Sequence, residues 1–152
     1  MNLKTSYYKN CLLSIHRGFA FGEPSNAKPL YLLAIIKGID EGVLLGNKLQ
    51  YGEILETFYR ELCSYYEPNK KAAPFYKPFF HSARENYYNI KWKAGEIPKH
   101  KWHTPSPKFL RESVDYAFLN EDFWELLQDI AIRNNFRDLI VNHYLKTRNK
   151  EL

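Results

Sequence analysis

The chain is poor in cysteine, has no long apolar run, and carries none of the short motifs that announce a reaction. Its 152 residues include two cysteines, Cys11 and Cys63, each set alone among apolar neighbours. That setting suits buried reduced thiols and argues against a disulfide framework or a cysteine-built metal site. The longest apolar stretch, Leu30–Ile36, falls far short of the roughly 20 residues that cross a bilayer. The N-terminus has no signal-peptide pattern, so the expectation is a soluble, cytoplasmic protein with no membrane partner. GxxxxGK[ST], GxGxxG, HExxH, CxxC and GxSxG are all missing, so no phosphate loop, dinucleotide fold, zinc-protease helix or nucleophile elbow is announced. No cofactor is expected. The histidines His81, His100 and His103 are the nearest thing to a metal set, but histidines in a proline-rich basic loop more often lie solvated.

What is present fits one globular domain of mixed composition. The 152 residues suffice for a continuous core without a metal or disulfide. Apolar residues make up 45% and charged residues 26%, proportions that leave little room for a disordered tail. The net charge is +5, and its distribution says more than its size. Lys70, Lys71, Lys77, Arg84, Lys91, Lys93, Lys99 and Lys101 crowd residues 69–103, where only Glu85 and Glu96 oppose them. Such a positive region on an otherwise neutral body is the footprint of a polyanion partner, because each neutralised phosphate releases counterions. A solubilising surface would give the same composition.

The apolar spacing divides the chain into helices around one aromatic, basic segment. Tyr7, Tyr8, Cys11, Leu12 and Ile15 mark a first helix over 4–16, ended near Gly18. Leu30, Leu33, Ile36 and Ile39 mark a second, almost fully buried helix that stops at Gly42. Asn47–Tyr51 suits a short extended piece. Ile54, Leu55, Phe58, Tyr59, Leu62, Cys63 and Tyr66 then form one face of a third helix, closed by Pro68. From Pro74 to Lys93 the prolines oppose helix and the aromatics favour strands, which predicts a β-hairpin with Glu85-Asn86 at its turn. Residues 94–106 read as a surface connector. Beyond it, Ser106-Pro107 opens a helix with Phe109, Leu110 and Val114 on its apolar face. Asn120 opens another, and Phe136, Leu139, Ile140 and Tyr144 mark a last one. The expected architecture is mainly α with a small β-hairpin. A winged helix-turn-helix-like part over about 4–93 is followed by a C-terminal helical subdomain over 107–147, all within a single DNA-binding domain, 1–152.

The predicted hairpin carries the candidate binding residues. Lys77, His81, Arg84, Lys91 and Lys93 interleave with Phe79, Phe80, Tyr87, Tyr88 and Trp92, so aromatics can face a core while cations face outward. Lys91 and Lys93 project together if Tyr87, Asn89, Lys91 and Lys93 share a face, and can then straddle phosphates. Lys101 extends the basic run, and Lys48 stands where a helix start could enter a groove. Three alternatives stay open: the aromatics stack on unpaired bases, they simply cover the helices, or His81 is satisfied within a turn rather than facing a ligand.

The order of Asn26-Ala27-Lys28-Pro29-Leu30-Tyr31-Leu32-Leu33-Ala34-Ile35-Ile36, then Asn47, Phe58 and Pro78-Phe79-Phe80-His81, resembles the N-terminal sulfur-binding domain of HNH-type, McrA-like restriction endonucleases. Glu85-Asn86-Tyr87-Tyr88, Leu110-Arg111-Glu112, Phe123-Trp124-Glu125-Leu126-Leu127-Gln128-Asp129 and His143-Tyr144 extend the likeness over about residues 7–145. The resemblance implies a non-catalytic module of a restriction or defence system that binds double-stranded DNA, with an apolar pocket for a backbone phosphorothioate. A sulfur is larger and less strongly hydrated than the oxygen it replaces, so an apolar cup can favour it while cations hold the charge. By position His81 would stand at the pocket edge, Tyr144 would form its wall and Leu145 would follow it. Two positions depart from the pattern: Ser82-Ala83 replaces an arginine often found after the histidine, with Arg84 next, and Leu145 replaces a proline. General DNA binding depends on neither. The chain has neither the His-Asn-His run nor the cysteine pairs of an HNH nuclease, so any cleavage is expected from a nuclease partner or a separate domain. The competing expectation is a protein-interaction or scaffold domain of a defence system, with no DNA contact.

Overall fold

The computed structural model describes residues 2–20, 22–94 and 105–145. The chain begins with α1 (Leu3–Leu13), where the Asn2 side chain accepts from the Thr5 amide at 2.8 Å and so satisfies a donor that the first turn leaves without a partner. A tight ribbon follows, β1 (Phe19–Ala20) against β2 (Glu23–Pro24). Next comes α2 (Ala27–Asp40), which buries Pro29 through Ile36 without a break and ends before Gly42, whose φ of +74° suits a residue without Cβ. Such a helix, apolar all round, has to be enclosed on every side. Helix α3 (Glu53–Tyr66) packs along it with Leu55, Tyr59 and Cys63. Both cysteines are free thiols.

The segment after α3 departs from the hairpin expected over 74–93. Residues Tyr76–His81 form a short helix, α4, continued by a 3₁₀ turn over Ser82–Arg84, and only Tyr88–Trp92 is a strand, β3. Pro78 lies in the first turn of α4, where the missing amide hydrogen would have had no helical partner, so the proline that argued for a strand is compatible with the helix. Glu85-Asn86 is therefore no hairpin turn. The partner of β3 comes from far along the chain: β4 (Val114–Leu119) pairs with it antiparallel, Tyr88 opposite Leu119 and Lys91 opposite Tyr116, with an irregularity at Lys91/Trp92. Val114 accordingly belongs to a strand, not to the apolar face of a helix. Ser106 does cap α5 (Pro107–Ser113), its hydroxyl accepting from the Phe109 amide at 3.1 Å, but the helix ends after two turns.

Asn47 extends this sheet with its side chain. Its Nδ2 donates to the Leu119 carbonyl at 2.7 Å and its Oδ1 accepts from the Leu119 amide at 2.8 Å. Two residues on, Leu49 and Ala117 exchange backbone bonds. The remaining elements are α6 (Glu121–Gln128), α7 (Ile130–Ile140) and a π-helical turn over Val141–Leu145. Asp129 caps α7 through the amides of Ala131 and Ile132. Arg133 and Arg137 of α7 both bond the Asp40 carboxylate at the end of α2. One buried cluster runs from Tyr8 to Leu145 and includes side chains from both sides of the connector. The protein is mainly helical with a small antiparallel sheet. Among the described residues no helix is long and apolar enough to cross a membrane.

Candidate functional site

Three separate stretches of chain meet at a cleft of about 400 Å³: the end of α1 with the β1–β2 ribbon, the first turn of α2, and α4 with its 3₁₀ extension. They bring His16, Arg17, Lys28, Lys77, His81 and Arg84 to its walls, and among the described residues no acidic side chain lines it. Phe19, Ala27, Ala73 and Pro78 supply apolar surface between the cations. Among the described residues Lys77 and Arg84 form no ion pair, and both are exposed. The cleft is therefore a concave, cation-rich surface with apolar patches, suited to an anion that carries its own apolar part.

One buried carboxylate organises the cleft from behind. Glu85 is 7% exposed and accepts from Lys28 Nζ at 2.8 Å and from the His16 amide at 3.2 Å. It also faces His16 Nδ1 at 3.3 Å. Lys28 itself is a cation in the first turn of a helix, where the dipole disfavours positive charge. Glu85 offsets that penalty and fixes both the lysine and the turn after α1. Arg17 is set by a second group of contacts: its Nη1 donates to Asn26 Oδ1 at 2.9 Å, and its guanidinium lies 4.8 Å from the centre of the Tyr144 ring. Asn26 Nδ2 donates in turn to Glu67 Oε2 at 2.7 Å and to the Tyr144 carbonyl at 3.3 Å. The Tyr144 hydroxyl donates to the Leu12 carbonyl and accepts from the Ile15 amide, holding the turn that carries His16 and Arg17. Burial raises the pKa of that hydroxyl above its ordinary value.

His81 enters the cleft because α4 is locked beneath it. Phe79 is fully buried against Tyr31, Phe75 and Tyr88, and the Tyr88 hydroxyl donates to the Phe79 carbonyl at 2.8 Å. Phe80 turns the other way, towards Trp92. The Pro78-Phe79-Phe80-His81 run thus divides its side chains between the core, the sheet and the cleft. Burial lowers the imidazole pKa of His81, and the charges of Lys28, Arg84 and Lys77 lower it further.

Of the residues singled out from the sequence, Lys77, His81 and Arg84 meet here, whereas Lys48 and Lys91 do not. Lys48 and Lys91 stand 5.1 and 5.3 Å from the centre of the Tyr116 ring on the β3–β4 sheet, and Lys91 also lies 3.8 Å from Asp115 Oδ2. Lys93 follows β3 with an exposed side chain. Lys101 lies outside the described residues, as do His100 and His103. The single cationic ribbon face expected over 77–93 is thereby corrected, because a helix and a strand carry the two ends of that segment to different places. Tyr144 and Leu145 line a neighbouring groove that shares Arg17 with the cleft. Sequence reasoning missed His16, Arg17, Lys28 and Glu85. The detectable signal was Lys28, a cation in the first turn of a mostly apolar helix, where a buried acid or a bound anion offsets the unfavourable dipole. Comparison with protein-family models and with curated proteins finds no match for this chain.

Proposed function

We propose that the chain is a non-catalytic DNA-binding module of a restriction or defence system, and that its cleft grips a backbone phosphate of double-stranded DNA. The observation that carries this reading is the convergence of six basic side chains from three chain segments on one concavity that, among the described residues, has no acidic lining residue. Neutralising phosphates there releases counterions, a favourable term that needs no base contact. The apolar patches between the cations also suit a phosphorothioate, whose sulfur loses less hydration than oxygen on entering such a cup. Cleavage belongs to a nuclease partner or to a separate domain. A winged-helix docking, with the start of α3 in a groove and the β3–β4 ribbon on backbone, is the finer form of the proposal and would give Lys48, Lys91 and Lys93 the leading role.

Fluorescence anisotropy of matched normal and phosphorothioate duplexes, titrated at two salt concentrations, tests both forms. The charge reversal Lys77→Glu/Arg84→Glu is expected to weaken binding by tenfold or more and to reduce the logarithmic salt slope by about 2, since each phosphate that is no longer neutralised removes roughly 0.9. Lys91→Glu/Lys93→Glu should weaken binding less; the opposite ranking would favour the winged-helix form. Undetectable or salt-insensitive binding by the wild-type chain would overturn the DNA-binding reading.

A further inference from the structure

Phe19 is 76% accessible and lines the cleft. Its position is fixed although its ring is not buried. β1 and β2 place Phe19 opposite Pro24, and the Ser25 amide donates to the Gly18 carbonyl at 2.7 Å, closing the base of the ribbon. Gly22, at φ +80°, makes the reversal possible. Two residues before the ring, Arg17 is held by Asn26 and stands over Tyr144, so the ribbon is anchored to both α2 and the C-terminal turn. A two-pair ribbon has almost no stability of its own. Here it serves to present an apolar ring to solvent beside a group of cations.

We propose that Phe19 is an apolar wedge that enters the DNA groove beside the gripped phosphate and packs against a base at a partly unstacked step. This inference rests on the DNA-binding reading above and deepens it. The occupant follows from the chemistry of the rim: the cleft selects an anion, the adjacent ring selects an apolar flat face, and a nucleotide joins the two covalently. A phenyl side chain inserted at a base step is an established way for proteins to exchange stacking energy for a larger buried surface. The ring carries no charge, so its contribution is independent of counterion release, whereas that of Lys77 and Arg84 is not.

The test uses the full chain and a duplex containing 2-aminopurine next to a central phosphate. Phe19→Ala should weaken binding about tenfold, within the range for aromatic contacts to bases, while leaving the salt slope unchanged. Binding of the wild-type chain should raise 2-aminopurine fluorescence as the step unstacks. The signal should vanish with Phe19→Ala and return with Phe19→Leu, another wedge-forming side chain. Because the ring is exposed, the thermal midpoints of both variants should match the wild type. If the wild-type chain binds with a steep salt dependence but Phe19→Ala leaves affinity and fluorescence unaltered, the wedge is refuted and the phosphate grip stands. If the wild-type chain binds no duplex, both fall together.

Discussion

Two places on this protein combine cations with aromatic rings, and they are built on opposite principles. At the sheet, Lys48 and Lys91 lie over Tyr116, and Lys91 is close to Asp115, with both partners of that pair about half exposed. At the cleft, Arg17 lies over Tyr144, and Lys28 meets a carboxylate that is almost wholly enclosed. In the first case Lys91 is matched by an acid within the surface itself. In the second the acid is placed behind the surface, so it fixes the geometry while Lys77 and Arg84 stay exposed. The number of cations in a segment is therefore a poor guide to a binding site; where their counter-charges sit decides the matter.

The same deletion made at both places should separate them most widely. Removing Glu85 leaves the Lys28 ammonium, with a side chain only 11% exposed, without its partner. Breaking a buried pair from one side typically costs 3–5 kcal/mol, so Glu85→Ala should lose about 3 kcal/mol of unfolding free energy. Asp115→Ala breaks an exposed pair and should lose less than about 0.5 kcal/mol. Urea denaturation of the two variants measures both. Similar losses would show that Glu85 does not organise the cleft.

A second pair of variants sharpens the contrast at the rings. Tyr144→Phe keeps the ring under Arg17 but removes the hydroxyl that serves the Leu12 carbonyl and the Ile15 amide. Leaving buried backbone groups without partners should cost about 1–2 kcal/mol. Tyr116→Phe, at a half-buried ring on the sheet face, should stay within about 0.5 kcal/mol. DNA affinity should fall less in folded Tyr144→Phe than in Tyr144→Ala, which also removes the platform for Arg17. Thermal denaturation combined with anisotropy distinguishes the hydroxyl's role from the ring's.

These contrasts follow the division between what was legible in the sequence and what was not. Helices α1, α2 and α3 were legible because their periodicity and their terminators, among them Gly42 and Pro68, are local. The Ser106 cap and the helix start after Asn120 were legible for the same reason. The sheet was not: β3 finds its partner across the connector, and Val114, which opens that partner, reads in the sequence as part of the apolar face of the preceding helix. The cleft was half legible. Lys77, His81 and Arg84 lie within eight residues of one another, but Arg17 and Lys28 reach them only through tertiary packing. Glu85 looked like a turn residue until its burial against Lys28 gave it another role.

The smallest expected effect is also the one that only the cleft can show. Enclosure and the charges of Lys28, Arg84 and Lys77 hold the His81 pKa below the usual 6.5. The folded chain therefore binds fewer protons than the unfolded one, so His81 contributes a loss of stability as pH falls from about 6.5 towards the lower folded value, and none above that window. A phosphate in the cleft offsets the surrounding positive charge and raises the pKa again. Binding then takes up a proton, and affinity should rise a few-fold on acidification from about pH 7.5 to about pH 5.5. His81→Gln should flatten this profile. His16→Gln, at the other cleft imidazole, controls for a neighbour that is 77% exposed and held beside Glu85, while Lys91→Gln on the sheet should leave the slope unchanged. A profile that persists in His81→Gln would place the proton elsewhere and remove His81 from the phosphate grip.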